Sequence, residues 1–209
     1  MLVFLDLETT GLKPETCYVL EVAAIITDDN LVEVARKQFL IRPNFGLHMM
    51  DEFVRDMHTK NGLLDELRCL PPASWATNTN PDPYDILEVD ARLSSWIREH
   101  AVKLGKDEQG KVTLDRPQLA GNTISFDRAF LKEHLPASHA EMHYRNLDVS
   151  SLNEMARRFW PEIYAATKQS KPDGAGVEHR AMWDVQCSLH QARKYAELLV
   201  SSIPPGGTP

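Results

Sequence analysis

Residues 2–12, Leu2-Val3-Phe4-Leu5-Asp6-Leu7-Glu8-Thr9-Thr10-Gly11-Leu12, decide the fold. Leu2–Leu7 is apolar enough for a buried strand that ends at a Thr-Thr-Gly turn. Asp6 and Glu8 lie two apart, so both point to one face while Leu5 and Leu7 point to the other. Two carboxylates on one sheet face repel each other unless protons or cations neutralise them. They also sit at the strand's end, where α/β sheets usually hold ligands. A solvated strand end gives the same spacing, and taken alone the D-x-E pattern is weak.

Working outward, Val19–Thr27 and Leu31–Ile41 read as two more strands around the Asp28-Asp29-Asn30 turn. Helices are expected over Asp51–Met57 and from Asn61 or Gly62 to Leu67. Residues 70–83 are rich in Pro, Asn and Thr and read as a loop. The spacing of Ile86, Leu87, Leu93 and Ile97 predicts a helix over Tyr84–His100. A polar connection, Lys103–Arg116, leads to a short strand at Pro117–Ala120. Ser125–His134 reads as a helix and Arg145–Leu147 as a strand. Asp148 or Ser150 caps a helix running to Trp160, and Gln169–Gly176 is a polar loop before a last helix from Arg180 to Val200. A meander followed by helices and short strands predicts an α/β fold, a mixed central β-sheet flanked by helices.

The chain of 209 residues fits one domain, expected over residues 1–201 with a variable polar insertion at 70–116 and a disordered tail at 202–209. No apolar run is long enough to span a bilayer. The strand-like start carries no signal-peptide pattern, and three cysteines (Cys17, Cys69, Cys187) without close pairing suit a reducing compartment. An intracellular, cytoplasmic location is therefore expected, or a mitochondrial one if a targeting segment precedes this sequence. Lys+Arg 23 against Asp+Glu 30 gives a net charge of -7, a poor match for long nucleic acids. Either few phosphates are gripped and metal ions supply positive charge, or the acidity only aids solubility.

Three further residues complete a candidate site. Asp127 follows the small-residue stretch Gly121-Asn122-Thr123-Ile124-Ser125 as strand turns into helix, a position where the helix dipole favours an acid anyway. His179 and Asp184, five apart, would lie about 140° apart on one helix. His179 therefore belongs to the loop or first turn entering the last helix, with Asp184 facing inward. Singly each residue is ordinary. Jointly, four carboxylates suit two divalent ions about 4 Å apart, and a histidine titrating near neutrality suits a general base. Oxygen-only ligands favour Mg²⁺ or Mn²⁺ over zinc.

The strings FLDLETTGL at 4–12 and HRAMWD at 179–184, with Asp127, resemble the DEDDh exonucleases. VRDMHTKNGL at 54–63, GNTISFDRAFL at 121–131 and HYRNLDVSSL at 143–152 narrow the resemblance to the oligoribonuclease type. The resemblance implies an RNase H-like fold, a homodimer, and release of 5′-mononucleotides from the 3′ end of short single-stranded RNAs of two to five nucleotides. It assigns Asp6, Glu8, Asp127 and Asp184 to the metals and His179 to the base. It further implies that Leu12 wedges against the bases and that Tyr144 reaches the same site from the partner subunit. His58, Thr123, Arg145 and Ser150 would cap the substrate's 5′ phosphate. The chain departs from the family pattern at Thr123, where serine is usual, at Asn146, and at Trp183, which replaces an acidic residue beside the last catalytic Asp.

Three rival readings make different demands on the sequence. A proofreading-type relative would lack the HYR string, and a binding protein on a retired nuclease fold would have lost a metal carboxylate. An interaction protein working through residues 70–116 is compatible with the catalytic set. A zinc site at His134, His139 and His143 lacks cysteine partners and paired spacing. Trp75, Trp96 and Trp160 read as packing residues.

Overall fold

The structure is a computed structural model describing residues 1–43, 50–73, 82–106, 112–174 and 176–201. Three strands open the chain: β1 (Leu2–Thr9), β2 (Val19–Thr27) and β3 (Glu33–Leu40). Helices α1 (Glu52–Lys60), α2 (Leu63–Arg68) and α3 (Ile86–His100) follow. A hairpin, β4 (Val102–Lys106) with β5 (Val112–Asp115), leads to β6 (Gln118–Gly121). Then come α4 (Ser125–His134), α5 (Pro136–Glu141), β7 (Asn146–Asp148), α6 (Val149–Phe159), α7 (Pro161–Gln169) and α8 (Ala181–Ser201).

The central sheet has the order β3-β2-β1-β6-β7, with β1 antiparallel to β2 and parallel to β6. Every residue of β2 is buried, because the sheet is covered on both faces. Its turn into β3 is built by Asp28, whose carboxylate accepts from the Asn30 and Val32 N–H groups at 2.9 and 2.8 Å. Side chains of β1 alternate between two cores. Val3, Leu5 and Leu7 join Leu93, Ile97 and Phe130 on the side of α3 and α4, while Phe4 joins Val185 and Leu189 of α8. Asp6 and Glu8 share the face of Phe4, so the fold aims them at α8. A third, smaller core of Leu20, Leu63, Leu64 and Leu67 seats α1 and α2 beside β2.

The short α5 has no capping side chain of its own. Buried Asp90 of α3 supplies one, accepting from Ala137 N at 2.9 Å, Ser138 N at 2.7 Å and Ser138 Oγ at 2.6 Å.

The α/β architecture and most element positions agree with the sequence reading. Several do not. Two helices, α5 and α7, were not expected, and each begins at a proline, which fits the first helical position as readily as a turn. The polar Lys103–Arg116 connection instead contributes both strands of the β4–β5 hairpin. Helix α1 runs three residues past Met57, and β7 starts one residue after Arg145. The tail at 202–209, Trp75 and much of the 70–83 loop lie outside the described residues. Among the described residues no helix is long and apolar enough to cross a membrane.

Candidate active site

The parallel register between β1 and β6 ends at Phe4 opposite Ala120. Beyond it the strands part, and the Leu7 N–H donates to Asp127 Oδ1 at 3.0 Å. Asp127, in the first turn of α4, is thereby fixed beside β1. Gly121 makes the departure possible, since a Cβ there would meet the Leu5 carbonyl oxygen at 2.9 Å. From the other side α8 brings Asp184 in its first turn. Ligand oxygens of Asp6, Glu8 and Asp184 lie within 4.8 Å of one another. Among the described residues no other group of histidines, cysteines or acids is so disposed, which sets aside the zinc reading of His134, His139 and His143.

The electrostatics of the cluster are strained. Burial, then repulsion from Asp127 and Glu8, pushes the Asp6 carboxyl well above its ordinary range. Burial and the neighbouring Asp184 and Glu21 push Glu8 up to about 8. Burial pushes Asp127 up to about 7, against the opposing hydrogen bonds of backbone N–H groups. It also pushes Asp184 up to about 6, against His179. A divalent cation relieves this cost at once, and these all-oxygen donors fit a hard metal such as Mg²⁺ or Mn²⁺.

That arrangement has a measurable consequence for the metal-free protein. A carboxyl whose folded pKa exceeds its unfolded value binds more protons when folded, so stability falls as pH rises between the two values. His58, whose pKa burial lowers, works in the opposite sense only below its ordinary 6.5. In EDTA, raising the pH from 6.5 to 8 is therefore expected to cost roughly 2 kcal/mol, seen as a lower Tm. Added Mg²⁺ or Mn²⁺ should remove the slope, and a Tm flat in pH without metal would contradict the cluster's electrostatics.

His179 lies exposed in the turn before α8, with its backbone at φ 60°. The backbone N–H of His179 faces the Asp184 carboxylate and favours its charged form. Next to it, Arg180 binds the fully buried Glu21 at 2.9 Å and Glu66 of α2 at 2.9 Å. Trp183 is buried against the backbone of Gly176, where any Cβ would fall about 1.8 Å from its ring. The departure at Trp183 thus closes the His179 loop by packing.

The expected substrate residues divide. Thr123 and Ser150 come together, with their hydroxyls 3.1 Å apart and Thr123 N donating to Ser150 Oγ at 2.9 Å. Tyr144 is 74% exposed, and the Arg145 guanidinium lies 5.4 Å from its ring centre. Leu12 is 80% exposed. His58 is not brought to them: it is fully buried, its Nε2 2.9 Å from the Thr9 carbonyl and Nδ1 3.9 Å from Glu8. That seat gives it no path to a substrate phosphate. It braces the end of β1 instead.

Beside Glu8 opens a largely apolar cleft of about 840 Å³, lined by Leu12, Tyr18, Phe53, Met57 and Phe126 among others. Phe53, Met57 and Phe126 were missed by the sequence reading. The available signal was Phe53 and Met57, four apart on α1, with Phe53 left 77% exposed.

A family model described as exonuclease matches residues 3–66. An oligoribonuclease from Streptomyces avermitilis is 34% identical over 200 residues, covering 95% of this chain and 86% of the relative. The chain belongs to the oligoribonuclease family. The oligoribonuclease of Tropheryma whipplei is 36% identical over 198 residues, with coverage of 94% and 91%. Exonuclease I from Methylocaldum szegediense superimposes with a TM-score of 0.63 at 18% identity, over 94% of this chain and 40% of that one. It supports the shared α/β exonuclease fold. Membership in the oligoribonuclease family makes the chain a hydrolytic nuclease, and divalent-metal dependence follows from the family and the acidic cluster together.

Proposed function

We propose that this oligoribonuclease removes 5′-mononucleotides from the 3′ end of single-stranded RNAs two to five nucleotides long. The observation that carries the reading is the convergence of three carboxylates, of which Glu8 also lines an apolar, aromatic-lined cleft. Asp6, Glu8, Asp127 and Asp184 would hold two Mg²⁺ or Mn²⁺ ions. When bound, such ions stabilise charge on the attacking and leaving oxygens of a phosphodiester.

The chain's own groups supply the rest. His179 takes the proton from the attacking water, as its exposed place at the cluster's rim allows. The terminal base stacks in the cleft against Phe53 and Leu12, since aromatic faces bind any base. Thr123, Ser150 and Arg145 hold the 5′ phosphate, two hydroxyls and a guanidinium being suited to an oxyanion. Tyr144 closes the site from the partner subunit of a homodimer, and its high exposure in the single chain is what that role requires. A site closed at the 5′ end admits only short chains, in keeping with the net charge of -7.

Direction is tested with a 5′-labelled RNA pentamer. The expected products are a ladder shortening from the 3′ end, with labelled mononucleotide appearing last. Labelled mononucleotide released at the outset would reverse the polarity and sink the proposal.

A further inference from the structure

We infer that Asn61 is a positioning residue for His179, gripping its peptide from the turn between α1 and α2; this rests on the general-base reading above. His179 adopts φ 60°, a left-handed conformation that a side chain with a Cβ seldom takes unless its surroundings impose it. Among the described residues none hydrogen-bonds the imidazole ring, so its aim depends on the backbone that carries it. That backbone is constrained on three sides. The His179 N–H faces the Asp184 carboxylate and favours its charge. The His179 carbonyl accepts from Asn61 Nδ2. The Arg180 guanidinium that follows is forked between Glu21 and Glu66.

Asn61 is itself firmly oriented. Its Oδ1 accepts from the Leu63 N–H at 3.0 Å, which opens α2, and this turns Nδ2 toward His179. Three residues earlier, His58 fastens the same turn to the end of β1 through the Thr9 carbonyl, beside Glu8. Residues 58–61 therefore tie the strand bearing two metal carboxylates to the peptide bearing the base. The distance between base and cluster is set by this bridge, and small displacements of a base cost rate steeply. Among the described residues no other side chain donates to the His179 carbonyl.

The test is Asn61→Ala, assayed on a dinucleotide in saturating Mn²⁺, in the wild-type and His179→Ala backgrounds, with Mn²⁺ affinity measured by direct binding. The expected result in wild type is a kcat about tenfold lower, with KM and Mn²⁺ affinity unchanged. In the His179→Ala background, Asn61→Ala should then leave the residual rate unaltered, because the group it positions is gone. Asn61→Asp, which keeps the acceptor for Leu63 but loses the donor, should lower kcat similarly and guards against a folding artefact. An equal loss in both backgrounds, a weakened Mn²⁺ affinity, or an unchanged kcat would each overturn the inference. If His179→Ala alone keeps full activity, it is the general-base reading that fails, and the clamp falls with it.

Discussion

Asp6→Asn and Asp184→Asn are each expected to lower dinucleotide hydrolysis by roughly 10³-fold, the scale on which single electrostatic partners of a developing charge act. The stability of the same variants should move the other way. Asp6 is crowded by Asp127, Glu8 and Asp184, all of which raise its pKa. Removing one charge relieves that repulsion, so metal-free Asp6→Asn at pH 8 should melt above the wild type. Loss of function with gained stability is the pattern of a site kept strained for its chemistry. Circular dichroism melts beside the activity assay separate this from misfolding. A variant that retains turnover, or that loses activity only because it unfolds, would contradict the metal assignment.

His179→Ala is expected to reduce kcat by about 10²- to 10⁴-fold, the usual contribution of a positioned general base. KM and metal affinity should stay near wild type, because His179 is outside the group of acids whose oxygens converge. Its side chain is exposed, so little stability should be lost. A variant that instead loses metal affinity in proportion to rate would make His179 a ligand or a structural support.

The two predictions rest on residues that differ in how openly the sequence displays them. Asp6 and Glu8 are readable from D-x-E on an apolar strand, because a period of two fixes which face they share. Asp127 and Asp184 take their meaning only jointly, and the structure supplies the reason: β6 parts from β1 at Gly121, and α8 packs over the same sheet face. His179 was placed in a turn from helix geometry alone, and it lies there. Its left-handed backbone and the grip of Asn61, 118 residues away in sequence, leave no local signature. Long-range contacts from side chain to backbone have no period to read.

Similar limits explain the elements missed. A Leu-Pro or Trp-Pro step reads equally as a turn or as a helix start, and only the neighbours decide; for α5, Asp90 of α3 provides the missing cap. The β4–β5 hairpin was hidden by its polarity, since its strands pair with each other and stand apart from the five-stranded sheet. His58 was assigned to the phosphate cap from the resemblance alone, and its complete burial against the Thr9 carbonyl is a long-range contact that the sequence does not display. The apolar cleft draws its wall from α1, the Leu12 loop and α4, three segments that no single stretch of sequence brings together.

The central claim is metal-dependent hydrolysis restricted to short RNA. It is tested most directly by a cleavage time course on 5′-labelled RNAs of two, three, five and twenty nucleotides in Mn²⁺, Mg²⁺ or EDTA. The account predicts rapid loss of the dinucleotide with either metal, none in EDTA, and slow attack on the longest RNA. Equal or faster degradation of the longest RNA, or cleavage that persists in EDTA, would contradict it.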